Sequence, residues 1–273
     1  MIYMNTTLIP IIDSHCHLDY IQRQTDHPEG LEGTDPEKVM ARAQAAGVSF
    51  LVNPSVTPAK FPEVIAMAER FENVYAAVAV HPTDVEDIID QAGWLDEVEL
   101  LLAHPKVVAI GETGLDYHWD LTHVDLQKKC FKALLELGRK HDLPVIVHDR
   151  EAHEDVAQII SEVPGVRGIM HCFSGDAAFA RRMIDLNFYI SFAGNLTFKK
   201  ATNLHEAATE TPLEWILVET DSPFLSPMPF RGKPNEPARV KHVVEKLAEL
   251  KNLTYEEVAK ATTENARKVF GLL

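Results

Sequence analysis

The feature that most constrains this chain is a recurrence: eight short apolar, β-branched runs separated by longer stretches of helical periodicity. The runs are Ile9–Ile12, Val48–Asn53, Val74–Val80, Lys106–Ile110, Val145–Val147, Val166–Met170, Phe188–Phe192 and Trp215–Val218. Each is short enough for a strand and too short for a buried helix. Strands alternating with helices build repeated βα units on a parallel sheet, and eight strands close a barrel. The pattern predicts an α/β fold, a (β/α)8 TIM barrel. No stretch between the runs reads as a linker, so one domain over residues 1–273 is expected, a size that such barrels routinely reach.

Helix punctuation fits the same scheme. Asp35 caps a helix with Pro36 at its first position and Gly47 beyond its end, Thr57 precedes Pro58, and Thr83 precedes an acidic first turn. Helical spacing also runs over Leu121–Lys140, Pro237–Leu250 and Tyr255–Phe270. Residues 222–237 are rich in proline and have neither period. In a barrel they form the loop after the eighth strand, and loops of that length inside a compact domain are usually functional.

Composition excludes other classes. With 46% hydrophobic and 25% charged residues the chain is neither disordered, collagenous nor a disulfide scaffold. Lys plus Arg at 26 against Asp plus Glu at 41 leaves a net charge of −15, which argues against broad wrapping of nucleic acid or an anionic membrane and leaves room for a small basic site. Cys16, Cys130 and Cys172 match no disulfide framework, and the N-terminus lacks a basic region followed by an apolar stretch. These features point to a cytoplasmic protein without a membrane partner and without an obligate protein partner.

The informative polar residues lie at the C-terminal ends of the runs, the face on which barrel enzymes build their sites. His15 and His17 follow run one, His81 run three, Glu112 run four, His148 run five, His171 run six and Asp221 run eight. On an extended segment residues i and i+2 point to the same side, so His15 and His17 can hold one ion while Cys16 faces the packing layer. Cys172, beside His171, is expected to do the same. Even four of these histidines with the two carboxylates exceed one four-coordinate site, and two ions sharing a bridging carboxylate, with Glu112 central in strand order, is the simplest arrangement. One or two divalent cations, Mg, Mn or Zn, are therefore expected, nitrogen-rich ligation favouring Zn or Mn. Such a pair suits metal-assisted hydrolysis.

His104 and His141 read as helix-end residues, while His27, His123, His153, His205 and His242 carry no assigned role. His118, in the loop after run four, stays open. Arg150, two positions after His148, and Arg231, Lys233 and Asn235 in the long loop are candidate contacts for an anionic substrate; Lys199 and Lys200 are weaker ones.

At these residues the sequence resembles the TatD family of metal-dependent hydrolases over nearly its whole length. Seven segments carry the resemblance in order: residues 13–19 (DSHCHLD), 80–82 (VHP), 111–117 (GETGLDY), 144–150 (PVIVHDR), 171–175 (HCFSG), 219–223 (ETDSP) and 231–237 (RGKPNEP). The resemblance implies a barrel holding one or two divalent ions, with deoxyribonuclease activity. Carried onto this chain, His15, His17, Glu112 and Asp221 would hold one ion and Glu112, His148 and His171 the second. Asp221 would also orient or deprotonate the attacking water. His81 would lie close to the scissile phosphate with Arg150 in support, and Phe173, Phe198 or Phe224 would be available to stack on bases. The chain departs from many relatives after Tyr117, where His118-Trp119-Asp120 stands, at the substrate-facing wall. The acidic balance favours short contact with a strand end over extended duplex binding, and the partner that the resemblance implies is DNA, single-stranded or at a 3′ end. Two other readings share the same residues: hydrolysis of an amide or an aminoacyl-tRNA ester, and a metal-stabilised binding protein without turnover.

Overall fold

All eight apolar runs form strands in the computed structural model, which describes residues 9–23, 33–86 and 88–272. His27 and the N-terminal stretch discussed above lie outside the described residues. The strands are β1 (Ile11–Asp13), β2 (Val48–Pro54), β3 (Val74–Val78), β4 (Val107–Asp116), β5 (Val145–Arg150), β6 (Gly168–Met170), β7 (Phe188–Phe192) and β8 (Ile216–Val218). Neighbours pair in parallel in sequence order, β1 to β8. The seam between β8 and β1 is closed just above the strand ends. Ser14 N donates to Val218 O at 3.0 Å, Asp221 N to His15 O at 2.9 Å and His17 N to Ser222 O at 2.8 Å. The result is a (β/α)8 TIM barrel with helices between its strands.

Two strands outrun their apolar signal. β4 continues to Asp116 and β5 to Arg150, so Glu112 and His148 lie within strands and not in the loops after them. Gly114 is what permits the extension of β4: it sits at φ +150°, and a Cβ there would overlap the carbonyl of His148 on β5. At the other extreme, Trp215 belongs to a 3-10 turn ahead of β8.

Helix starts follow the expected caps with two exceptions, Thr83 and Thr57; Thr57 precedes a 3-10 turn over Pro58–Lys60 without a side-chain cap bond, and the α-helix there begins at Phe61. Asp35 accepts the N–H of Lys38 at 3.2 Å with Pro36 at the first position, and Gly47 adopts φ +95° past the end. The helices over Val124–His141, Val240–Lys251 and Tyr255–Phe270 match the periodic stretches, the last with a capping box between Thr254 and Glu257. Thr83 starts no α-helix. It sits in a 3-10 turn over Pro82–Asp84 capped by His81, and the next α-helix begins at Trp94. Among the described residues, no helix is long and apolar enough to cross a membrane.

The side-chain alternation of the strands sorts the core. Ile12, Phe50, Val52, Ala77, Ile146, Ile169, Tyr189 and Leu217 fill the barrel, whose lower end is closed by Ala266, Val269 and Phe270 of the last helix. Their neighbours, such as Ile11, Leu51, Val78, Val147 and Phe192, pack outward against the helices. Two residues further along five of the strands the inward position turns polar: Ile12 gives way to Ser14, Ile146 to His148, Ile169 to His171, Tyr189 to Ser191 and Leu217 to Glu219. The same period that plugs the lower barrel thus delivers a polar cluster to its upper end.

Candidate metal centre

Glu112 stands at the middle of this cluster, and its two carboxylate oxygens face different groups. Oε2 lies 3.3 Å from His15 Nε2 and 3.5 Å from His17 Nε2. Oε1 lies 2.8 Å from His148 Nδ1, 3.3 Å from His171 Nε2 and 3.5 Å from His81 Nε2. Asp221 Oδ1 completes the first group at 3.8 Å from His15 Nε2 and 3.7 Å from His17 Nε2. All six residues predicted as ligands are therefore brought together, and His81 stands beside them.

Several features of this arrangement fit a bound cation. His15 Nε2 and His17 Nε2 are 3.2 Å apart, and with their carboxylates they form a set of donors separated by 3.2 to 3.8 Å. Ligands at about 2.0–2.2 Å from one ion stand roughly 3–3.5 Å from each other. The Nδ1 atoms of both rings are buried without a hydrogen-bond partner. Three sets, His15/His17/Glu112, His15/His171/Asp221 and His81/Glu112/His148, each converge within 4.8 Å.

The electrostatics follow from burial set against these neighbours. Burial, reinforced by the His171 ring stacked at 3.6 Å, lowers the pKa of His15 to about 4 and keeps its imidazole neutral, the form that ligates. Burial would raise Glu112, but the surrounding imidazoles hold it well below the usual carboxylate range. His148 is pushed up to about 9, because the carboxylates of Asp116 and Glu112 outweigh its desolvation. Burial pushes Asp221 up to about 6.

Two carboxylates missed by the sequence reading hold the histidines from behind. His148 Nε2 donates to Asp116 Oδ2 at 2.9 Å, and Glu219 Oε1 lies 2.8 Å from His171 Nδ1. Partners of this kind fix a ring's orientation and tautomer. Glu219 is further held by Ser191 Oγ at 2.6 Å. Its signal was its place two residues before Asp221 on the same inward face; Asp116 had none beyond following Glu112 by four.

The cluster forms the floor of a cavity of about 1090 Å3. Arg150 lines it, together with Trp119, Tyr20 and Phe224. Cys172 lines it too, against the expectation that it faces the packing layer. Its φ of 44° breaks the extended alternation on which that expectation rested, and burial keeps its thiol protonated by raising its pKa well above the ordinary value. Cys16 is fully buried, as expected.

The other predicted substrate contacts are placed elsewhere. The Asn235 side chain is buried and donates to the carbonyls of Thr220 and Phe224 at 2.9 and 2.8 Å, so it pins the loop after β8. Arg231 lies over the ring of Phe198 at 4.4 Å, and Lys233 is exposed; neither lines the cavity. Phe173 packs in the core between Phe179 and Phe192. His118 is paired with Glu151 at 2.9 Å.

Residues 12–271 match the family described as TatD related DNase. The chain is 45% identical over 263 residues to the uncharacterized metal-dependent hydrolase YabD of Bacillus subtilis, covering 95% of this chain and 98% of that one. It is 38% identical over 262 residues to the uncharacterized metal-dependent hydrolase YcfH of Escherichia coli, covering 95% of each. The crystal structure of YjjV, a TatD homologue from Escherichia coli, superposes with a TM-score of 0.88 at 31% identity, covering 98% of this chain and 100% of the other. Since the family match spans residues 12–271 and the relatives align over nearly the whole of both chains, this chain belongs to the TatD family of metal-dependent hydrolases.

Proposed function

We propose that the protein is a metal-dependent deoxyribonuclease that removes nucleotides from an end of single-stranded DNA. The observation that carries this reading is the division of Glu112, with one oxygen toward His15 and His17 and the other toward His148 and His171. In the proposed arrangement His15, His17, Glu112 and Asp221 hold one divalent cation and Glu112, His148 and His171 a second. Two bound cations would lower the pKa of a water and neutralise charge on a phosphodiester.

The chain's own groups supply the rest. Asp221, which faces both the first histidine pair and the cavity, orients the attacking water and takes its proton. His81 Nδ1 accepts the N–H of Thr83 at 3.2 Å, which leaves the ring proton on Nε2, facing the cluster. Burial lowers the pKa of His81, so it serves as a neutral donor to a phosphate oxygen. Among the described residues, six carboxylates line the cavity (Asp84, Glu112, Asp116, Asp149, Glu151 and Asp221) against the single guanidinium of Arg150. That balance suits a few phosphates at a strand end and disfavours a long duplex.

The test follows nucleotide release from 5′-labelled and 3′-labelled single-stranded oligonucleotides with Mg, Mn or Zn, against chelator and Glu112→Ala. Metal-dependent release from one of the two ends, abolished by the substitution, is expected, and the labelled end that is lost gives the polarity. Faster hydrolysis of an aminoacyl ester or an amide than of any oligonucleotide would overturn the reading.

A further inference from the structure

We propose that Trp119 and Arg150 form a nucleotide subsite at the rim of the cavity, the indole stacking on a nucleobase and the guanidinium holding the phosphate attached to it. The inference deepens the nuclease reading and rests on it for the choice of ligand.

Trp119 is 70% exposed, although an indole ordinarily gains by being buried. Exposure here does not come with a loose backbone. The N–H groups of His118 and Trp119 both donate to Asp116 Oδ1, at 2.9 and 2.8 Å. The other oxygen of the same carboxylate accepts from His148 Nε2. One buried side chain therefore ties the indole's segment to a histidine of the central cluster, and the open ring stands where a substrate bound there would pass.

Arg150 lies over the Trp119 ring, its guanidinium carbon 5.6 Å from the centroid. Among the described residues its guanidinium makes no hydrogen bond or ion pair, although acidic residues flank it in sequence. Those acids are already engaged: Asp149 Oδ2 is bonded to His153 Nδ1 at 2.7 Å, and Glu151 Oε1 to His118 Nδ1 at 2.9 Å. The cation is thus left free for an anion beside a flat, exposed aromatic surface. A planar ring and a phosphate held side by side are the two halves of a nucleotide, and stacking on an aromatic side chain accepts any base.

The test reads binding and turnover separately. Intrinsic fluorescence of the metal-loaded protein, whose tryptophans are Trp94, Trp119 and Trp215, is followed during titration with thymidine 5′-monophosphate and with 2-deoxyribose 5-phosphate. Quenching by the nucleotide alone, lost in Trp119→Phe, is expected; isothermal titration calorimetry, which needs no indole at the site, should show nucleotide affinity falling about tenfold in Trp119→Ala and largely retained in Trp119→Phe. Arg150→Gln should weaken both ligands. In turnover, any preference of the wild type for a base-bearing over an abasic terminal nucleotide should collapse in Trp119→Ala through KM. Equal quenching by the two ligands, or unchanged nucleotide affinity in Trp119→Ala, would overturn the subsite even if DNA is cleaved. Base-dependent quenching without cleavage of any DNA supports the subsite and strikes the nuclease reading instead.

Discussion

At the scale of single residues, the centre works through division of labour among carboxylates that look alike in the sequence. Glu112 turns one oxygen to each histidine group, Asp116 and Glu219 lie against histidine rings, and Asp221 faces both the first histidine pair and the cavity. Replacing Asp221 by Asn keeps the shape and an oxygen donor but removes the base. Elemental analysis should find the metal content of Asp221→Asn retained, while kcat falls by about 10²- to 10⁴-fold; wild-type turnover would contradict the assigned role. A second residue-scale consequence concerns stability. The hydrogen bond to Asp149 raises the pKa of His153 above its ordinary 6.5. A raised folded-state pKa means that the contribution is fully present below about pH 6.5 and is lost as the pH rises through the folded value. The difference in Tm between wild type and His153→Gln should therefore be largest near pH 5.5 and shrink toward pH 9. Because the pair is partly exposed, its size should stay below about 1 kcal/mol.

At the scale of elements, what the sequence made legible is what periodicity governs. The eight strands, the last helix over Tyr255–Phe270 and the cluster of histidines and carboxylates all follow from apolar runs and from the polar residues at their ends. What stayed illegible depends on contacts between strands. The stretch Gly111-Glu112-Thr113-Gly114 carries no strand signal of its own, yet it is strand because β5 approaches closely enough to pair with it. Asn235 looked like a ligand for an anion because it lies among basic loop residues, and only the fold reveals that two carbonyls consume its amide. Trp119 looked like a local departure in a motif, and its exposure at the cavity cannot be read from spacing. The same close approach makes a prediction. A Cβ on Gly168 would overlap the Val145 carbonyl and the ring of Phe188, on the strands either side of β6. Backbone on one side cannot yield, so Gly168→Ala should lose at least about 2 kcal/mol in urea unfolding. A change within 0.5 kcal/mol would mean that the barrel relaxes at β6 far more easily than its packing implies.

At the scale of the whole molecule, the proposed nuclease reading requires a chain of net charge −15 to engage a polyanion. Long-range repulsion opposes approach, and among the described residues the cavity offers one guanidinium amid six carboxylates. Attraction must therefore be local, arising from cations held at the histidine cluster and from Arg150. Such a design neutralises few phosphates, and the number is measurable. For single strands, log K falls with log salt by about 0.7 for each phosphate neutralised. Oligonucleotide binding by the catalytically silenced Asp221→Asn variant, at fixed metal concentration, should give a slope of about −1 to −2. It should hardly change as the strand is lengthened from four nucleotides to twenty, since only the end is gripped. Replacing Arg150 by Gln should remove about one phosphate's worth of that slope. A steep slope of about −4 that grows with strand length would instead require a basic track outside the cavity and binding along the strand, and would remove the electrostatic case for action at an end.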